Sequence, residues 1–363
     1  MVELLSNPYE AVDWDAYLQV KSDHHYHTEK DNPPPHDMVD TLVDDLDYGI
    51  LTFDRGTNLE NGTMWPWTEW STYEDGWEDR DPDTDFTRDV VAVQGMEQGT
   101  DHTLSLFSDL EPQDFNLTTW YNLLGEIKAT GGLAVLEHPS RYTDAEGAVE
   151  RWGDGFEDFP DTLIGFAAWN KDAGHFNAQG HHRYDDVESW DALLSHFMPE
   201  RPIWAFSHDD PHGFERGHDL DVRYNTVAVE EMTTEAVRTA YEDGQLFAHS
   251  REHWADDTEA PPEMPTVNEI VVDESEPSIT IDASGYESVR WICQGWVVGE
   301  SETLVLTDEM DKYVRAELLT NPDAHTLTQP FGVDGDGPSF GVTSSAKWEH
   351  RSEAEWGHEV GPR

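Results

Sequence analysis

Positive charge is what this 363-residue chain has least of: 21 Lys and Arg stand against 77 Asp and Glu, a formal net charge of −56. Lysine occurs only at Lys21, Lys30, Lys128, Lys171, Lys312 and Lys347. Such a balance argues against a nucleic-acid backbone as partner, because binding one rests on neutralising phosphates with basic groups. It also argues for a carboxylate-coated surface suited to a salty cytoplasm, where a Debye length of ~3 Å at molar salt screens the self-repulsion. A melt followed at low and at molar salt should therefore show structure lost on desalting. Cysteine is nearly absent. The single Cys293 excludes a disulfide framework and a cysteine-built zinc cage. It falls in the alternating apolar run Val289–Cys293, which predicts a buried thiol. Any metal must then be held by histidines and carboxylates. No apolar run approaches the ~20 residues of a membrane span, and the N-terminal residues lack the basic start and apolar core of a signal peptide. The expectation is a cytoplasmic protein with no membrane partner.

The chain is nonetheless equipped to fold. Hydrophobic residues make up 37% and aromatics 11%, with 15 Trp, which is unlike the composition of a disordered acidic segment. Several short apolar runs end in residues that can do chemistry: 48–53 before Asp54, 90–93 before Glu97, 133–136 before Glu137 and His138, 163–169 before Asn170, and 202–206 before Ser207-His208-Asp209-Asp210. Continuous runs of this kind suit strands covered on both faces. Apolar residues at helical spacing lie between them: Met38, Val39, Leu42, Val43 and Leu46; Trp120, Leu123, Leu124 and Ile127, stopped by Gly131-Gly132; Trp190, Leu193, Leu194 and Phe197; and a fourth stretch opened by Thr233. Alternating strands and helices, with polar residues at the strand C-terminal ends, predict an α/β fold.

Two segments break that rhythm. Residues 59–86 are dense in Trp, Asp, Glu, Gly and Pro, and read either as a long loop beside a pocket mouth or as a surface insertion. After Pro261-Pro262, short β-prone runs separated by turns predict a small all-β domain. The domain reading is 1–258 for the α/β part, 259–335 for the β domain and 336–363 for an acidic tail.

The residues that stand out for chemistry are His25, His27, Asp31, Asp54, Glu97, His102, His138, Asp210 and His212. On a strand, His25 and His27 share a face while His24 points away. Asp54, Glu97, His138 and Asp210 follow apolar runs, where an α/β fold collects its active site, and His102 leads one. In order, Asp23-His24-His25-Tyr26-His27-Thr28, Gly95-Met96-Glu97, His138-Pro139 and Asp210-Pro211-His212 resemble the motifs of the PHP (polymerase and histidinol phosphatase) family, over residues 9–250. The later β segment is similar to an appendage found on some members.

That resemblance implies a distorted seven-stranded (β/α)7 TIM-like barrel followed by the small all-β domain. It also implies hydrolysis of phosphate esters with two or three divalent ions; imidazoles and carboxylates suit Zn, Mn or Fe, and one to three ions per chain are expected here. Carried over by motif, His25, His27, Glu97, His138, Asp210 and His212 would be metal ligands, joined by His102. Asp31 sits near an early ligand position, with His36 as its alternative. The sequence departs from the family twice. Arg55 stands where a ligand histidine belongs, and a guanidinium has no lone pair to give a metal. Ala167 stands where a glutamate is usual. Arg55 would replace a missing ion's charge, clamp a substrate oxyanion, or mark an inactive member, and Asp54 beside it is a further catalytic candidate; Arg141 is a second clamp for phosphate oxygens. His208 reads either as an acid or base behind Asp210 or as a solvated loop histidine, and His181 and His182 as surface residues. The leading reading is a metal-dependent phosphoesterase acting on a small phosphorylated substrate. Its rivals are a catalytically impaired barrel that binds a ligand or partner, and a metallohydrolase of a non-phosphate ester or amide.

Overall fold

The apolar runs become strands, and their C-terminal ends carry the polar residues. The computed structural model describes residues 2–26, 35–52, 89–110, 118–170, 186–211, 213, 215–217, 219–251, 261–320, 324–335 and 337. After β1 (Glu3–Ser6), the strands β2 (Leu18–Asp23), β3 (Tyr48–Leu51) and β4 (Val91–Ala92) pair in parallel. Next come β5 (Gly95–Gln98), β6 (Thr103–Leu106), β7 (Leu133–Leu136), β8 (Leu163–Asn170) and β9 (Trp204–His208). These form a second sheet, antiparallel from β5 to β7 and parallel from β7 to β9. Every residue of β3, β5, β6, β7 and β9 is buried, the burial expected of a sheet covered on both faces. Gly95 lets β5 approach β6: a Cβ there would lie 2.0 Å from the Ser105 carbonyl oxygen.

Helices cover the second sheet. They follow α1 (Pro35–Asp40), which runs into a π-helical turn (Thr41–Asp45). α2 (Trp120–Thr130) is capped by the Thr119 hydroxyl, which accepts from Asn122 N–H, and closed by Gly131 at φ 77°. α3 (Ala145–Asp158) and α4 (Asp186–Phe197) pack on each other and on β8. Leu123, Leu124, Ile127, Trp152, Phe156, Trp190, Leu193 and Leu194 form one core with Leu136 and Phe166. On the other side, α5 (Thr234–Asp243) sends Val237 and Tyr241 against Leu104, Val135, Ile164 and Phe206. No helix among the described residues is long and apolar enough to cross a membrane.

β10 (Arg223–Val229) pairs antiparallel with β2 and with β11 (Leu246–Arg251). The segment beyond Pro262 is built of strands, as its composition predicts: β12 (Thr266–Asp273), β13 (Ser278–Ser284), β14 (Ser288–Cys293), β15 (Trp296–Gly299), β16 (Thr303–Val305), β17 (Lys312–Thr320), β18 (Ala324–Leu327) and β19 (Phe331–Asp334). β12, β13 and β16 form a separate sheet, and Cys293 is buried. β18 pairs with β11, and β19 pairs with β1, so strands from both ends of the chain share one sheet with β2. Arg315 of β17 is fully buried. Its Nε and one terminal nitrogen reach Asp191 of α4 at 2.7 and 2.8 Å, and the other reaches Glu317 at 2.8 Å.

The architecture is thus mixed α/β, but the expected barrel is not closed by backbone pairing among the described residues. β4 and β5 belong to different sheets, and so do β9 and β10. Side chains replace the ladder at the second gap. Ser207 N–H donates to Asn225 Oδ1 (2.8 Å), and Asn225 Nδ2 donates to the Ser207 carbonyl (2.9 Å). Gln329 holds both backbone groups of Ala205 in the same way, at 2.8 and 2.9 Å. The Trp-rich stretch 59–86 lies outside the described residues, as does the tail apart from residue 337.

Candidate metal centre

Two buried aspartates set the backbone on which the site is built. Asp23, the last residue of β2, accepts from the His25 N–H at 3.0 Å and the Asp209 N–H at 2.9 Å, tying the end of β2 to the end of β9. Asp209 in turn accepts from the N–H groups of Asp221, Val222 and Arg223 at 2.7, 3.0 and 2.7 Å, which pins the chain returning into β10. Burial pushes Asp23 up to about 6 and Asp209 well above the ordinary carboxylate range. With their oxygens committed to backbone donors, these two hold the frame.

On that frame His25, Glu97, His102, His138 and Asp210 come together. His25 Nε2 lies 3.3 Å from Glu97 Oε2 and 3.3 Å from Asp210 Oδ1. The other Glu97 oxygen lies 2.6 Å from His102 Nδ1 and 3.0 Å from His138 Nε2. One carboxylate therefore faces three imidazoles. Burial opposes charge on Glu97, but His25, His102 and His138 outweigh it and hold its carboxyl well below the ordinary range. Burial likewise opposes a proton on His25, and Asp210, Glu97 and Glu137 overcome it, raising the imidazole well above its ordinary value. At His138 burial prevails and lowers it. His102, His138 and Asp210 all have left-handed backbone, at φ 52°, 28° and 45°. Such conformations cost of order 1–3 kcal/mol each and gather at functional sites.

Behind His25 stands a third carboxylate. Glu137 Oε2 lies 2.9 Å from His25 Nδ1 and accepts from Asn170 Nδ2 at 3.2 Å, while Oε1 lies 2.9 Å from His208 Nδ1. Burial acts to raise Glu137, but His208 and His25 bring it down to about 2. The sequence had marked neither Glu137 nor Asn170 for the site. Strand alternation sends neighbouring residues to opposite faces, yet both Glu137 and His138, the latter at φ 28°, reach the cluster. Asn170 could have been found as the polar residue closing the run 163–169.

Of the residues read from sequence, the structure brings together His25, Glu97, His102, His138 and Asp210. His27, Asp31, Asp54, Arg55, His181, His182 and His212 lie outside the described residues, and so does the His36 side chain. His208 is not a solvated loop histidine: it ends β9 fully buried, held by Glu137. His24 points away as expected, and is held between the Thr52 and Tyr241 hydroxyls. Arg141 sits on the 3-10 turn Pro139–Arg141 directly after His138, partly buried. Ala167 is buried within β8.

The donors present fit a divalent cation. Ligand atoms of His25, His138 and Asp210 lie within 4.8 Å of one another, and so do those of Glu97, His102 and His138. Bonds of ~2.0–2.2 Å to a shared ion need only a modest contraction from there. His138 Nδ1 is buried with no partner among the described residues. Imidazole with carboxylate is a donor set for Zn, Mn or Fe.

No family model and no curated protein matches the sequence. Among solved structures, the chain is similar to a two-domain protein from Bacteroides vulgatus that contains a predicted PHP-like metal-dependent phosphoesterase. The TM-score is 0.39 and the identity 12%, over 91% of this chain and 90% of that one.

Proposed function

We propose that this chain is a metal-dependent hydrolase, a phosphoesterase that acts on a small phosphorylated compound in the cytoplasm. The observation that carries the reading is the convergence of His25, Glu97, His102, His138 and Asp210 from four separate segments, with Glu97 facing three imidazoles. Divalent ions held there would supply Lewis acidity and a water of lowered pKa for attack on phosphorus. The chain's own residues hold and orient. Asp23 and Asp209 fix the strand ends, and Glu97 lies between the two sets of donors. Arg141, on the turn after His138, is assigned the non-reacting phosphate oxygens, which a guanidinium binds bidentately. His27, Asp31, Asp54, Arg55 and His212 complete the site by motif order. In this reading a distorted (β/α)7 barrel lies within residues 1–258. Residues 259–335 are the β unit and 336–363 an acidic tail, and neither nucleic acid nor membrane is a partner.

Elemental analysis of protein purified in molar salt should find one to three divalent ions per chain. Alanine at both His25 and His27 should abolish the bound metal and the hydrolysis of a generic phosphomonoester. Hydrolysis that survives the double variant refutes the reading. Ala167, buried and without a donor atom, favours a second reading, in which the site binds a ligand without turning it over. Stoichiometric metal with no hydrolysis across phosphate esters, carboxylic esters and amides would select it.

A further inference from the structure

Glu137 is fully buried, and three donors from three different segments close on its two oxygens: His25 after β2, Asn170 at the end of β8, and His208 at the end of β9. We propose that Glu137 is the positioning residue of the metal centre, fixing which nitrogen of His25 meets the cation. The inference rests on the metal-binding reading above.

A neutral imidazole carries one proton and one lone pair, and the partner of one nitrogen decides the state of the other. With a carboxylate 2.9 Å from Nδ1, the proton stays on that nitrogen. Once a cation replaces the second proton, the lone pair that meets it is on Nε2, the nitrogen 3.3 Å from Glu97 and Asp210. Asn170 and His208 have the complementary task. Holding Oε2 at 3.2 Å and Oε1 at 2.9 Å, they stop the carboxylate from swinging round His25 to take the cation itself. His208 thereby acts two steps from the ion, as the support of a support. Outer partners of this kind cost about 10- to 100-fold in metal affinity when removed.

The test uses the full chain, stripped of metal in molar salt, with Zn2+ and Mn2+ affinities read by chelator competition and thermal unfolding followed on the same metal-free samples. Glu137→Gln keeps the shape but sets an amide N–H against one of the two imidazoles, so metal should bind about 10- to 100-fold more weakly. Asn170→Ala should shift affinity the same way by a smaller factor. A Glu137 that only stabilises the fold would lower the metal-free melting temperature and leave both affinities at the wild-type value, which overturns the proposal. Should Glu137→Gln fail to fold, Asn170→Ala decides by the same comparison. If the wild-type chain takes up no metal, the functional reading itself falls and this inference with it; wild-type binding with unshifted variants sinks this inference alone.

Discussion

Two buried polar clusters in this molecule use similar residues to opposite ends. Around Arg315, a guanidinium inside the protein satisfies Asp191 at 2.7 and 2.8 Å and Glu317 at 2.8 Å, and the Tyr313 hydroxyl adds a fourth bond at 2.8 Å. The Trp190 ring lies 5.0 Å from that cation. This cluster brings its own permanent positive charge and joins α4 to β17. Around Glu97, carboxylates meet imidazoles, whose charge is optional, on a backbone with three left-handed residues. The positive charge there is either borrowed protons or a metal ion. A buried carboxylate cluster that carries its own cation is structural; one that leaves the cation to be supplied is a candidate site.

The sharpest way to break this contrast is Glu97→Ala. Removing the carboxylate shared by both donor sets should weaken metal binding by more than about 100-fold, beyond the loss typical of outer partners. Arg315→Met is its mirror image. It takes the guanidinium from Asp191 and leaves Glu317 with Arg290 at 3.9 Å, and breaking a buried pair costs about 3–5 kcal/mol. Urea unfolding should show that loss while metal affinity holds. If Arg315→Met moved the metal affinity as much as Glu97→Ala does, the two clusters would be one coupled network and the distinction would fail.

Much of the histidine and carboxylate cluster was legible because Glu97, His138 and Asp210 follow apolar runs, and a strand end is where such a fold exposes chemistry. α2, α4 and α5 were legible from period and punctuation: Thr119 with Gly131, and Thr233 with Gly244, bracket two of them. α3 was not, because Gly147, Gly153 and Gly155 thin its apolar stripe. Gly155 is there to admit Trp120, whose ring would sit 2.3 Å from a Cβ. The β9–β10 junction was equally hidden. It depends on Asn225 imitating backbone, as Gln329 does for Ala205 of β9 from 124 residues away. Glu137 escaped because the motif marks only His138 beside it, and its partners His25, Asn170 and His208 come from three other segments. Local periodicity marks elements and their ends; side chains that stand in for the ladder are set by partners far along the chain.

A buried imidazole outside both clusters sharpens the comparison through pH. His249 sits between the Thr326 and Thr226 hydroxyls at 2.8 and 2.9 Å, with no carboxylate among those partners. Burial, reinforced by Lys21 and Arg251, drops it to about 3. Its folded pKa lies below the unfolded value of about 6.5, so between those limits the unfolded chain takes a proton that the folded chain refuses. The stability it allows is complete above pH ~6.5 and is lost as pH falls toward 3. At pH 5 the loss is on the order of 2 kcal/mol. Urea unfolding at pH 5 and pH 7.5 should differ by that much more in wild type than in His249→Gln. An equal pH dependence in the two proteins would mean that His249 titrates freely in the fold.

The smallest effect tests whether the helical layer speaks to the metal cluster at all. Asp144 caps α3 by accepting from the Gly147 N–H at 2.9 Å. Asp144→Ala should cost ~1 kcal/mol. α3 packs on α4, α4 carries Asp191, and the first residue of α4, Asp186, holds the Ser140 N–H at 2.7 Å, two residues beyond His138. The path from cap to ligand is therefore continuous in space. It is also redundant, since His138 is separately fixed by Glu97 at 3.0 Å and by the 3-10 turn whose Arg141 N–H returns to its carbonyl at 2.9 Å. Redundant support should absorb a frayed cap. The expected outcome is a lower unfolding midpoint with metal affinity unchanged within twofold; a larger change in affinity would mean that the outer helices set the geometry of the site and do more than cover it.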